Sequence, residues 1–150
     1  MKKFLILLIF PLLFSFDNQR EDAFQTGEWF KFRIHYGFVN AGYATLEVKE
    51  ATINSEKLFH LIGKGYTTGL SRLFFKVDDR YESYIDKDAM LPWYFVRDVR
   101  EGGYKVNQKV KFDHVNGLAT SEKKAVKTPK HVQDLLSAFY ILLHNFHYNN

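Results

Sequence analysis

Between Val77 and Ala119 the chain alternates polar and apolar residues in runs separated by turn signals, and the runs specify their own partners. Val77–Asp86 (VDDRYESYID) and Pro92–Arg100 (PWYFVRDVR) are joined by Lys87–Leu91. Gly102-Gly103 then turns the chain into Tyr104–His114 (YKVNQKVKFDH), and Asn116-Gly117 turns it again. Period two is the side-chain repeat of a strand, and two residues that accept positive φ make a hairpin loop. The stretch therefore reads as an antiparallel meander. A two-residue loop at Gly102-Gly103 sets Val99 opposite Val106, Phe95 opposite Val110 and Trp93 opposite Phe112. The same loop at Asn116-Gly117 sets Lys111 against Glu122.

Charge checks the first hairpin. If Asp86 lies opposite Pro92, Arg80 faces Asp98 and Asp78 faces Arg100. A slip of one residue sets Arg80 against Arg97 and turns both faces over. The expectation is cross-strand ion pairs on a solvated face, worth about 0.2–1 kcal/mol each. A catalytic carboxylate pair is the alternative.

The opposite face is apolar apart from one row. There Tyr81, Arg97 and Gln108 stand side by side among Trp93, Phe95, Val110 and Phe112. A guanidinium in such a row must be paired or reach water. Two readings stay open. Arg97 snorkels, or bonds the Tyr81 hydroxyl and the Gln108 amide as structural cement. Otherwise Arg97, Tyr81 and Gln108 hold the anionic end of an apolar ligand lying on Trp93, Phe95 and Phe112.

The remaining chain extends the same sheet. Glu28–Tyr36 alternates, with Phe30, Phe32, Ile34 and Tyr36 on one side and Lys31, Arg33 and His35 on the other. Gly37–Gly42 is expected to turn, and Tyr43–Lys49 to return with Ala44, Leu46 and Val48 inward. Asn54-Ser55 precedes a strand over Leu58–Tyr66, where Gly63 and Gly65 suggest a bend or bulge. Thr67–Phe75 breaks the alternation as a short helical crossing, read as a plug over one end of the sheet. Ser121–Lys127 reads as a charged edge. Thr128-Pro129 signals a helix, whose apolar stripe (Val132, Leu135, Leu136, Phe139, Leu142, Leu143, Phe146) is expected to pack on the sheet rather than on a membrane surface, because its polar face is not basic. The fold class is mainly β: a curved antiparallel meander sheet, partly barrel-like, with a short helical crossing and one C-terminal amphipathic helix. A sheet of this kind is unfinished at Asn150, so the domain over 28–150 is expected to be incomplete at its C-terminus.

Met1–Phe16 has the form of a signal peptide, with Lys2-Lys3 before an apolar run, Phe4–Phe14, too short to span a bilayer. A retained anchor is the alternative. Residues 17–27 form a polar linker. The expected location is exported, periplasmic or extracellular, with no stable membrane span after signal removal. Loss of Lys2 and Lys3 lowers the formal charge from +4 to +2, which argues against a nucleic-acid partner. The chain has no cysteine, which excludes disulfides and thiolate metal sites.

No catalytic, cofactor or metal motif is present. The histidines are scattered; His144 and His147, three apart, are read as a coincidence. No catalytic residue, metal or cofactor is expected.

Gly69–Asp86 (GLSRLFFKVDDRYESYID), Leu91–Tyr104 (LPWYFVRDVREGGY), Val132–Tyr140 (VQDLLSAFY) and GEWFKFRIHYGFVNAGYATLEV near the start resemble the domain-of-unknown-function family 3108. The resemblance covers nearly everything after Phe16. It implies an exported bacterial protein of the Bacteroidetes type, with a strongly curved sheet enclosing helical segments. It also implies further strands beyond Asn150, and it supplies no catalytic residues. The functional expectation is a non-catalytic envelope protein that binds an apolar or lipid-like ligand. The alternatives are a structural or protein-interaction module of the envelope, and an envelope hydrolase using Asp79, Asp98 or a histidine.

Overall fold

The computed structural model describes residues 25–148, so the signal-like segment Met1–Phe16 and most of the linker lie outside the described residues. Each strand pairs antiparallel with the next along the chain: β1 (Trp29–Tyr36), β2 (Val39–Ile53), β3 (Glu56–Thr67), β4 (Asp78–Asp86), β5 (Pro92–Glu101), β6 (Tyr104–Asp113), β7 (Leu118–Ser121) and β8 (Ala125–Lys127). A six-residue helix, α1 (Gly69–Phe74), links β3 to β4, and α2 (Leu135–Tyr148) follows β8. The sheet is open and curled, with β1 and β8 as its edges. This is the mainly β meander that the alternation predicts.

The central registers follow the sequence argument. Arg80 lies opposite Asp98, Tyr81 opposite Arg97, Arg97 opposite Gln108, Phe95 opposite Val110 and Val99 opposite Val106. At Gly102-Gly103 only Gly102 has positive φ (57°), so this loop has the II′ pattern.

Three loops depart from expectation. The β1–β2 turn is only Gly37-Phe38, because β2 already pairs at Val39. Asp86 is not opposite Pro92; Ile85 is, with a bulge just before it. The cause is local: the Asp86 carboxylate accepts the N–H groups of Asp88 and Ala89, and the Asp86 N–H donates to the Leu91 carbonyl. That compact loop brings Pro92 up against Ile85. At β6–β7, Lys111 faces Thr120 rather than Glu122. The Asp113 carboxylate captures the Asn116 backbone and side-chain N–H groups at 2.9 and 2.8 Å, which makes a four-residue loop.

The ion pairs also differ. Arg80 bonds Glu82 at 2.6 Å and Arg100 bonds Asp98 at 3.1 Å, both along one strand instead of across two. No ion pair joins Arg80 to Asp98 or Asp78 to Arg100 among the described residues.

One face, here called inner, carries α2. Its core is Val48, Phe59, Leu61 and Ile85 from β2–β4 with Leu136 and Tyr140 from α2, all buried. Gly63 is where the helix rests. The β3 ladder runs through Gly63 and Gly65 without a bulge, contrary to expectation, and a Cβ on Gly63 would meet Leu136 Cδ2 at 3.0 Å. The missing side chain makes room for the helix.

The helix begins at Leu135, seven residues after Thr128. Thr128 is still bonded to the Gly117 carbonyl, and His131 adopts φ 61° before the chain turns inward. Asp134 then caps the helix: its Oδ1 accepts from the N–H groups of Leu136 and Ser137, and Oδ2 accepts from Ser83 Oγ on β4 at 2.5 Å. Asp134, Ser83 and Ser137 are all buried. Leu135, Phe139, Leu142 and Leu143 remain exposed, so only part of the expected stripe reaches the sheet.

The plug reading of α1 fails. The helix has no buried residue, and Leu73 and Phe74 are 80% and 87% exposed. It is tied at its flanks by Thr67 Oγ1, which accepts from Val77 N and donates to the Phe75 carbonyl.

Two predictions follow from the docking of α2. Leu136→Ala is expected to lower unfolding free energy in urea by about 2–5 kcal/mol. Gly63→Val alone overpacks the contact and costs about 1–3 kcal/mol, and it costs less in the Leu136→Ala background, where its methyls fill vacated space.

The cap supplies a third. Burial raises the Asp134 carboxyl above its ordinary value of 3.8, against the opposing pull of Ser83 and the helix N–H groups. A raised folded value favours the protonated acid in the fold. That contribution is complete below pH 3.8 and is lost as pH rises through the folded value. Asp134→Asn, which keeps the cap without the charge, should therefore gain on the wild type in thermal melts as pH rises from 3 to 7. Asp134→Ala should lose about 1–3 kcal/mol at neutral pH by stranding buried donors.

Candidate functional site

The inner face is built from the odd residues of β3–β5 and the even residues of β1, β2 and β6, so the expected polar row lies on the same face as α2. Gln108, Arg97, Tyr81, Gly63 and Leu46 are successive cross-strand neighbours in one row. Arg97 is half-buried and has no hydrogen-bond or ion-pair partner among the described residues. The cement reading is therefore not what the geometry holds: Tyr81 stacks on Phe95 with ring centres 6.3 Å apart, and neither it nor Gln108 bonds the guanidinium.

The row meets an apolar groove on the far side of α2. The helix packs over β3 and β4, and its Leu136 fills the gap above Gly63. Toward β1 an open groove of about 440 Å³ remains, lined by Phe32, Ala44, Leu46, Leu135, Leu136 and Phe139. Every side chain in that lining is apolar. None of the six expected ligand residues is among them, so the structure separates the expected polar anchor from the groove by the width of the helix.

Trp93 and Phe112 belong to a different place. With Lys111, Asp113, His114 and Val115 they line an open pocket of about 370 Å³ where β5 begins and β6 ends. His114 Nε2 lies 2.7 Å from the Pro92 carbonyl, which can only accept, so this nitrogen carries the proton. Its ring stacks on Phe112. Gln108 also borders a slot of about 90 Å³ with Ser121, Glu122 and Lys123.

The outer face carries a cluster that pattern reading misses. Glu82 on β4 accepts from His60 Nε2 at 2.6 Å, Arg80 Nε at 2.6 Å and Tyr84 OH at 3.2 Å. His60 stacks on Tyr84 with centres 4.2 Å apart. Burial pushes the Glu82 carboxyl up, but the hydrogen bonds and charges of Arg80 and His60 outweigh it and hold the group below its ordinary value. This carboxylate is fully committed to neighbours. It joins β3 to β4 on the face opposite α2.

The hydrolase candidates have structural partners. Asp79 accepts the Arg100 N–H at 2.9 Å, and Asp98 holds the Arg100 side chain. Among the described residues, no group of three or more His, Asp or Glu is placed to hold a metal, and no helix is long and apolar enough to cross a membrane. The side chains of His144 and His147 lie outside the described part.

Residues 31–148 match the model of a family described as a protein of unknown function (DUF3108). The chain belongs to this family. No curated protein and no solved structure matches it.

The Glu82 cluster has a signed pH dependence. Its depressed folded value means that its contribution is present above the ordinary 4.5 and is lost as pH falls through the folded value. In urea unfolding, wild type should be more stable than Glu82→Gln at pH 7, and the difference should shrink as pH falls from 4.5 toward 3.

Proposed function

We propose that this DUF3108 chain is a non-catalytic exported envelope protein that holds the apolar chain of an anionic amphiphile on the inner face of its sheet. The observation that carries the reading is the open groove between β1–β2 and α2, about 440 Å³ with a wholly apolar lining. That volume is in the range of small-molecule sites, about 300–1,000 Å³. An amphiphile's tail removes this surface from water without needing any polar partner within the groove.

The anionic end is assigned to Arg97, with Tyr81 and Gln108 beside it. Arg97 is a half-buried cation that no carboxylate of the described chain neutralises, which favours an external anion. Leu46 in the groove and Arg97 share one cross-strand row three strands apart, a separation of about 14 Å at ordinary strand spacing. An extended acyl chain that rounds α2 is long enough to join the two. Export is part of the same proposal and rests on Lys2-Lys3 ahead of Phe4–Phe14.

A fluorescent long-chain fatty acid titrated into the full chain tests this. Saturable binding is expected, weakened about tenfold by Ala44→Trp, which fills the groove. Arg97→Ala should weaken the fatty acid but leave its uncharged alcohol analogue unchanged. Absence of saturable binding by the folded protein, or binding unaffected by Ala44→Trp, overturns the proposal.

A further inference from the structure

The two sheet edges are treated differently by the sequence. β8 is three residues long and gives way to Pro129, both of which discourage another strand from adding to it. β1 has eight residues and no proline, and its second side pairs with no strand among the described residues. Its inner row is Phe30, Phe32 and Ile34, which are 42%, 47% and 50% exposed. Its outer row contains Lys31, Arg33 and His35 at alternate positions.

None of those three outer residues meets a carboxylate among the described residues. Lys31 lies over the Tyr43 ring at 4.3 Å, and His35 Nδ1 donates to the Gly37 carbonyl. The nearest acid across the ladder, Glu47, is bonded to Lys49. One side of this edge is thus unsatisfied in charge and the other in apolar contact, at period two.

Residues directly opposite in a ladder share a face. A second copy of β1 that keeps Phe30, Phe32 and Ile34 on the inner side must bring Lys31, Arg33 and His35 against the same basic row. Like charges across a ladder are destabilising, so the edge selects against its own copy. The complement it fits has apolar residues on one face and carboxylates on the other.

We infer that the free side of β1 is a docking edge for an extended segment of a second polypeptide whose side chains alternate apolar and acidic. The segment adds a ninth strand. Its main chain bonds the unpaired β1 backbone, its carboxylates lie beside Lys31 and Arg33, and its apolar side chains extend the row of Phe30, Phe32 and Ile34. This mode derives affinity from main-chain bonds and specificity from alternate side chains. It does not depend on the groove being a ligand site.

The test uses a synthetic peptide with the sequence of Trp29–Tyr36 carrying Lys31→Glu and Arg33→Glu, which is itself an alternating apolar and acidic strand. The controls are the unmodified peptide and a scrambled peptide of the charge-reversed composition. By fluorescence anisotropy against the full chain, the charge-reversed peptide should bind about tenfold more tightly than either control. The full chain carrying Lys31→Glu and Arg33→Glu, whose substitutions are at exposed positions, should reverse the preference and select the unmodified peptide. Deuterium exchange should show protection confined to β1 amides.

Equal binding of the charge-reversed and scrambled peptides, or no reversal in the variant, overturns the inference. So does failure of the charge-reversed peptide to bind the folded chain. Self-association in sedimentation velocity that the peptide does not dissolve would instead make β1 a contact between copies, and also overturns it. Ala44→Trp, which blocks the groove, should leave peptide binding intact, so failure of the fatty-acid reading and failure of this one are distinguishable.

Discussion

The hydrogen bond between Ser83 and Asp134 is the joint on which this molecule depends. A one-layer sheet has no interior until something covers one face. Here the cover is α2, and its first turn is fixed to β4 by a buried carboxylate that serves two helix N–H groups and one strand hydroxyl. Removing any partner strands a polar group away from water, whereas the complete set is satisfied. Leu136 at Gly63 and Tyr140 in the cluster of Val48, Phe59, Leu61 and Ile85 are placed by that joint.

The position of α2 also decides what the inner face can do. Because the helix lies over β3 and β4, it leaves apolar ground toward β1 and a solitary guanidinium toward β6. That division is the ground for proposing an amphiphile with two unlike ends rather than a uniformly apolar guest. On the outer side Glu82 gathers His60, Arg80 and Tyr84, so the central strands are held together from both faces. The middle of the sheet is bonded on both faces, and its margins carry the unsatisfied chemistry.

How far the sequence speaks for itself depends on the reach of each signal. Gly102-Gly103 fixes Val99 against Val106 and Arg97 against Gln108, because a tight loop and a period of two leave little freedom. Asn116-Gly117 carries the same signal, but Asp113 competes for Asn116 and wins, shifting the pairing by two residues and preserving the faces. Pro129 marks a helix start too early, although Asp134 and Ser137 three residues apart offered a better capping pattern. The His60–Glu82 contact is illegible, since it needs the register of β3 on β4 across the α1 crossing, where no turn residue sets the count. The ion pairs fail for a different reason: a guanidinium two residues from a carboxylate on the same face reaches it as easily as one across the ladder.

The strictly sequential strand order has a consequence for how the chain assembles. Each ladder joins neighbours in the chain, so most pairings close short loops and meet little entropic resistance. The Ser83–Asp134 bond is the outlier, spanning 51 residues, and it can form only after β4 exists to receive the helix. Loop-closure entropy therefore favours an order in which the hairpins form first and the layer that encloses the core docks last. Until then Leu61, Ile85 and Val48 face water, and the rate of helix docking sets how long the nascent sheet is vulnerable to other chains.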